Sequence, residues 1–161
     1  MKTGLFIGRF QPFHLGHLSA IKQALEQVDF LTIGIGSAQY NNTDQNPFTA
    51  AERREMIGSA LDENGIMRER FQVVEIPDIH SDPKWPAHVR SIVPDFEVVF
   101  TRSDIIKKLF TKYDGVPIVW LKKEIPISAT EIREKMRKRG DWKKWLPKKV
   151  INIIKMQKKE L

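Results

Sequence analysis

The chain has 161 residues, 41% apolar and 29% charged, a length and balance that fit one globular domain with a real core and are too short for two ordinary ones. It contains no cysteine, which excludes disulfides, thiolate zinc sites and thiol catalysis. No stretch reads as a signal peptide or a membrane span, so a soluble cytoplasmic protein without a membrane partner is expected.

The net charge of +7 is concentrated at one end. Residues 133–161 carry 12 Lys or Arg against 3 Asp or Glu, whereas the rest carries 15 against 17. A Lys-rich end with no aromatic stacking motif reads as a solvated face, so nucleic acid is not the expected partner.

In chain order, the apolar run Gly4-Leu5-Phe6-Ile7 predicts a buried first strand. Leu18, Ile21, Leu25 and Val28 follow at the spacing of one apolar helix face. Phe30–Gly36 is a continuous apolar run, suited to a strand covered on both faces. Thr49 and Glu52 fit a capping box for a helix whose inner face is Ile57, Ala60 and Leu61 and whose end is Gly65. Phe71–Ile76 predicts a third strand. A loop from Pro77 to Pro86 leads into a short helix ending near Val93, and 97–101 predicts a fourth strand. Ser103 caps a helix over 104–110, and 116–121 is a fifth strand whose Pro117 suits an edge. Ser128 and Glu131 again fit a capping box, Gly140 is a helix stop, and Val150, Ile151, Ile153 and Ile154 face inward on a last helix. This alternation predicts an α/β fold: a Rossmann-like, doubly wound parallel sheet of about five strands, with a C-terminal helical tail over 127–161. In such sheets ligands sit beyond the carboxyl ends of the strands. That rule gathers the first turn, Gly36-Ser37, the 77–85 loop and Thr101-Arg102-Ser103 into one cleft.

The first turn, Gly8-Arg9-Phe10-Gln11-Pro12-Phe13-His14-Leu15-Gly16-His17, carries the chemistry. A strand, a glycine-containing turn and a helix N-terminus form an anion site, because free N–H groups and the helix dipole converge there. His14 and His17 are three residues apart and share a helix face. Gly16 between them leaves the backbone open to a ligand. Arg9 is a permanent cation able to grip a phosphate through two parallel hydrogen bonds. Far along the chain, the helix N-terminus at Ser128 offers N–H groups and the hydroxyls of Ser128 and Thr130, with Arg133 about one turn in.

These two stretches resemble the His-x-x-Gly-His and Ile-Ser-Ser/Ala-Thr-x-x-Arg signatures of the nucleotidylyltransferase superfamily. Gly-Arg-Phe-Gln-Pro-Phe at 8–13 is similar to the nicotinamide mononucleotide (NMN) adenylyltransferases of archaeal type. So are Ile33–Gln39, Asn46–Arg53, and Gly140-Asp141-Trp142 with Leu146-Pro147. The chain departs from that pattern at Gln45, where a basic residue is common, and at Ser103, where Asn is common.

The resemblance implies adenylyl transfer from ATP to NMN, giving NAD and pyrophosphate. It implies catalytic roles for His14, His17, Arg9 and Arg133, with His17 nearest the α-phosphate and Arg9 between the two substrates. Gly8, Phe10, Gly16, Ser128 and Thr130 would complete the ATP site. Gly36, Ser37, Asn46 and Trp85 would bind NMN, with Trp85 stacking on the nicotinamide. Mg²⁺ would arrive with ATP, and the family's habit of assembly implies a homo-oligomer, for which the apolar face of the last helix could serve, though that face could equally cover the chain's own sheet. His80 and Asp82 are too few for a metal site, and His88 reads as a helix-surface or satisfied packing histidine. The alternatives on the residues themselves are transfer to another phosphorylated acceptor, or a binding module without turnover.

Overall fold

A computed structural model describes all 161 residues. Five parallel strands form one sheet: β1 (Thr3–Gly8), β2 (Phe30–Gly36), β3 (Phe71–Ile76), β4 (Val98–Thr101) and β5 (Ile118–Trp120), in the spatial order β3-β2-β1-β4-β5. The chain therefore starts at the centre, winds outward to β3, then crosses to the other side of β1. Ligand-binding crevices lie where the order reverses, which here is the carboxyl end of β1 and its neighbour β4.

Six helices connect and cover the strands: α1 (Leu15–Leu25), α2 (Ala50–Glu63), α3 (Trp85–Ile92), α4 (Asp104–Tyr113), α5 (Ala129–Arg137) and α6 (Lys148–Met156). Alternate side chains of β1 divide between two cores, as the period of two requires. Phe6 belongs to the larger core, which also takes in Ile21 of α1, Met56 of α2, Ile132 of α5 and Ile154 of α6. Leu5 and Ile7 join Val89 of α3 and Phe110 of α4 on the opposite face.

β2, β3 and the capping box of α2 match the sequence expectation, Thr49 and Glu52 each bonding the other's backbone N–H. Ser103 caps α4 as expected, though the helix runs on to Tyr113. Several elements differ. α1 ends at Leu25, so Val28 is buried from the turn that follows and not from the helix. β5 shrinks to three residues, because an edge strand beside Pro117 has only β4 to pair with. At α5 the Glu131 carboxylate accepts the Ser128 hydroxyl, not the cap N–H, so only half a capping box forms. Gly140 does stop α5, but the left-handed residue is Arg139 at φ 54. Gly140 N–H bonds Lys135 O and Arg139 N–H bonds Met136 O, the paired bonds of a Schellman end. The inner face of α6 is spent on α2 and the core of its own chain, so it is not left open for a second copy.

Candidate functional site

His14 is not inside the first turn of α1 but at its N-cap, with extended backbone (φ −135, ψ 176). Its Nδ1 accepts the N–H groups of Gly16 at 3.0 Å and His17 at 3.4 Å. His17, three residues on, returns the favour: its Nδ1 accepts the His14 N–H at 3.1 Å. The two imidazoles form a capping box, a role usually taken by Ser or Thr with Glu. An Nδ1 that accepts a backbone N–H carries no proton, so each neutral ring holds its proton on Nε2. The rings stack at 3.7 Å between centroids. Burial, and secondarily the charge of Lys123, lowers the His14 pKa to about 4. Burial, then the neighbouring His14, holds His17 well below the ordinary range. Both rings are therefore neutral near pH 7, each with one Nε2–H to donate.

The structure gives Gly16 a different reason from the one expected. A Cβ there would fall 2.8 Å from His14 Cε1 and 2.9 Å from its Nδ1. Glycine is needed for the His14 ring to fold over the cap, before any ligand arrives. Phe10 adopts φ 56, a left-handed conformation that costs a bulky residue on the order of 1 kcal/mol or more. Its ring is buried and meets His17 edge-on at 4.7 Å, with Phe6 and Phe13 beyond. Phe10 thus braces the catalytic candidate from behind.

Where one cleft was expected, the strand ends open onto two adjoining cavities. The first, about 370 Å³, is lined by Gly8, Phe10, His14, Gly16 and His17, by Thr101 to Ser103, and by Ser128, Thr130 and Arg133. The second, about 560 Å³, is lined by Gly36, Ser37, Asp78, His80, Trp85 and the α4 residues Ile105 and Ile106. Ile7, Gly8, Arg9 and Ser103 belong to both. Arg9 is exposed there and supplies the only guanidinium common to the two.

Arg133 is buried, and one Nη donates to Gln11 O at 2.8 Å while the other reaches Thr130 Oγ1 at 3.3 Å. It ties α5 to the turn after β1 and keeps N–H capacity for an anion. Burial, then Arg9 and Arg137, lowers its pKa, as expected where cations gather round an anion site. Trp85 is the first residue of α3 rather than a loop residue, and its half-buried ring meets Phe110 edge-on at 5.6 Å. It both packs and lines the second cavity. Asn46 lines neither cavity. His80 bonds the Tyr40 hydroxyl at 2.7 Å, and His88 bonds Pro77 O, the second of the two roles expected of it.

Sequence reasoning missed four contributors. Lys122 and Lys123 follow β5 and reach the first cavity, which only the strand order could reveal. Buried Gln11 clamps Phe48 with two bonds, Nε2 to O at 3.0 Å and N–H to Oε1 at 2.8 Å. Arg53 in α2 is fully buried, its Nη groups bonding carbonyls of the turns after β1 and β2. Burial is the main cause of its pKa falling to about 10, Glu75 opposing that shift and Arg9 adding to it, so it stays protonated.

The profile of the cytidylyltransferase-like family matches residues 5–135. The nicotinamide-nucleotide adenylyltransferase of Pyrococcus furiosus is 46% identical over 158 residues, covering 96% of this chain and 84% of that one. Its counterpart from Archaeoglobus fulgidus is 44% identical over 157 residues, covering 93% and 88%. Among solved structures, a bifunctional NMN adenylyltransferase/ADP ribose pyrophosphatase from Francisella tularensis superposes with a TM-score of 0.86 at 25% identity. The match covers 98% of this chain, which spans half of that longer protein. A second structure of that bifunctional enzyme, at 24% identity and a TM-score of 0.81, is complexed with AMP and a manganese ion. With family profile, relatives, parallel sheet and capped histidine pair in agreement, the chain belongs to the cytidylyltransferase-like family and, within it, to the nicotinamide-nucleotide adenylyltransferases.

Proposed function

We propose that this chain transfers the adenylyl group of ATP to NMN, giving NAD and pyrophosphate, as a single nucleotidylyltransferase domain acting in the cytoplasm. The observation that carries the reading is Arg9, set on the shared wall of the two cavities. ATP occupies the first cavity, and NMN the second with its phosphate toward Arg9.

An NMN phosphate oxygen attacks the α-phosphorus in line. A new P–O bond forms, the bond to the β-phosphate bridging oxygen breaks, and pyrophosphate leaves with the electron pair. The nucleophile is already largely dianionic near pH 7, its second pKa being about 6, so no general base is required. Catalysis is then positioning and neutralisation of charge. His14 and His17 donate Nε2–H to the phosphates. His17 is braced by Phe10 and nearest the α-phosphate. The N-terminus of α5, with Ser128, Thr130 and Arg133, holds the β- and γ-phosphates, and Lys123 lies beside them.

The metal is part of the substrate, as Mg-ATP. The polar wall of the first cavity is mostly cations, hydroxyls and N–H groups, Glu124 is its one carboxylate, and no three His, Asp or Glu residues are grouped as ligands. Such walls suit an ion held by phosphate oxygens and water.

The reading is tested by incubating the purified protein with Mg-ATP and NMN and measuring NAD and pyrophosphate, with His17→Ala as control. NAD formation that collapses in the variant supports it. Pyrophosphate release only with another phosphorylated acceptor moves the substrate. No turnover with any acceptor refutes the reaction.

A further inference from the structure

Arg53 occupies the first turn of α2 and is fully buried, yet no carboxylate lies within ion-pair distance of it. Its N–H groups instead serve six main-chain carbonyls. Nε donates to Thr49 O at 3.2 Å. One Nη donates to Arg9 O and Gly36 O, both at 3.0 Å. The other reaches the carbonyls of Ser37, Ala38 and Tyr40 at 3.2 to 3.4 Å. Burying a guanidinium without a counter-charge is expensive, and an apolar residue would fill the same space at lower cost. Capping of α2 does not explain it, because Thr49 and Glu52 already complete that box.

What Arg53 does join is specific. Arg9 carries the side chain shared by both cavities, and Gly36 and Ser37 wall the second. Arg53 itself lines neither. Both turns contain a left-handed residue other than glycine, Phe10 at φ 56 and Ser37 at φ 49. Such conformations persist only where the surroundings over-determine them, and the planar fork of a guanidinium supplies that constraint on both turns at once.

We infer that Arg53 is a positioning residue that fixes the end of β1 against the end of β2, and so sets the approach of the acceptor phosphate to the α-phosphorus without touching either substrate. This rests on the adenylyl-transfer reading. Arg53 bonds neither the ATP-side capping box nor α5, so it bears on the ATP cavity only through the Arg9 carbonyl, and ATP binding should depend on it far less than turnover does.

The test compares wild type with Arg53→Lys and Arg53→Gln. Each is assayed for NAD formation and for Mg-ATP binding by calorimetry without NMN. Lysine keeps the charge but offers only three N–H groups and no planar fork. We expect kcat to fall about 10- to 100-fold in both variants, as small misplacements of reacting groups do. ATP should still bind one per chain, with Kd within about threefold of wild type. A merely structural role would instead lower the ATP stoichiometry together with kcat. Equal loss of ATP binding, or an Arg53→Lys kcat within about twofold of wild type, overturns the inference. A wild type that makes no NAD defeats the underlying reading instead. Should neither variant fold, hydrogen exchange of wild type decides: the Ala38 and Tyr40 amides, bonded to Ile76 O and Ser37 O, should be protected in the free protein. Rapid exchange there that slows only with both substrates bound overturns the inference.

Discussion

The two cavities share Arg9 but are held together by different means. Around the first, buried or half-buried side chains bond to backbone: His14 and His17 to the start of α1, Arg133 to Gln11 O, Gln11 to Phe48. Around the second, Arg53 bonds the backbone from beneath, but the polar side chains of the rim bond largely to one another. Ser37 donates to the Asp78 carboxylate at 2.7 Å, the Gln39 side chain pairs with the Asp78 backbone, and Tyr40 meets His80. Most of these groups are partly or wholly exposed. On the proposed reading, the difference separates where the molecule fixes its chemistry from where it fixes its choice of acceptor. The donor side cannot be altered without disturbing a helix cap or a core carbonyl, whereas the acceptor rim tolerates exchange of single surface bonds.

The contrast is broken most directly at His17. Replacement by Ala should lower kcat about 100- to 1,000-fold, the usual cost of removing one preorganised donor. An effect under about tenfold in steady-state NAD formation would remove the donor side's claim to the chemistry.

The next largest effect is on stability against pH. His14 has a folded-state pKa of about 4, below the ordinary 6.5. Between those values the unfolded chain binds the proton and the folded chain does not, so stability falls as pH drops. The window is pH 6.5 to 4, and the loss is roughly 3 kcal/mol, to be read from urea midpoints. A His14→Ala variant should lose the His14 share of this slope and keep that of His17, and an unchanged slope would assign it elsewhere.

Gln11→Ala leaves the Phe48 N–H and carbonyl without partners in a dry site, at a cost of about 2–3 kcal/mol. A shift in thermal midpoint too small for about 1 kcal/mol would mean water replaces the side chain. The smallest effect sharpens the other half of the contrast. Tyr40→Phe removes one exposed bond and should cost under about 1 kcal/mol, seen as at most a few-fold rise in the NMN KM with kcat unchanged. A large fall in kcat would show that the acceptor rim is as tightly coupled as the donor side.

Much of this was legible beforehand where a single physical cause acts locally. The runs at 30–36 and 71–76 are apolar enough to be strands in any context, and Thr49 with Glu52 closes a cap by itself. The two turns proposed to hold phosphate carry enough chemistry to be recognised apart from the fold. What escaped depends on distant partners. Arg53 looks like any polar residue of an outer helix face, because nothing near it in sequence reveals that two strand ends present bare carbonyls to it. Lys122 and Lys123 read as a charged loop until β5 is placed beside β4. Trp85 reads as a loop residue because Lys84 and Pro86 obscure the helix start, although Pro is well tolerated in a first turn. The imidazole cap escaped because histidine is not among the usual capping residues.

That cap links local melting to catalytic competence. Fraying of the first turn of α1 would withdraw the N–H groups that hold each Nδ1 as an acceptor, and both rings would be free to exchange tautomers and turn. The wrong tautomer presents a lone pair to a phosphate oxygen instead of a proton. On heating, the protein should therefore fall silent while its sheet is still intact, with the start of one helix acting as the fuse.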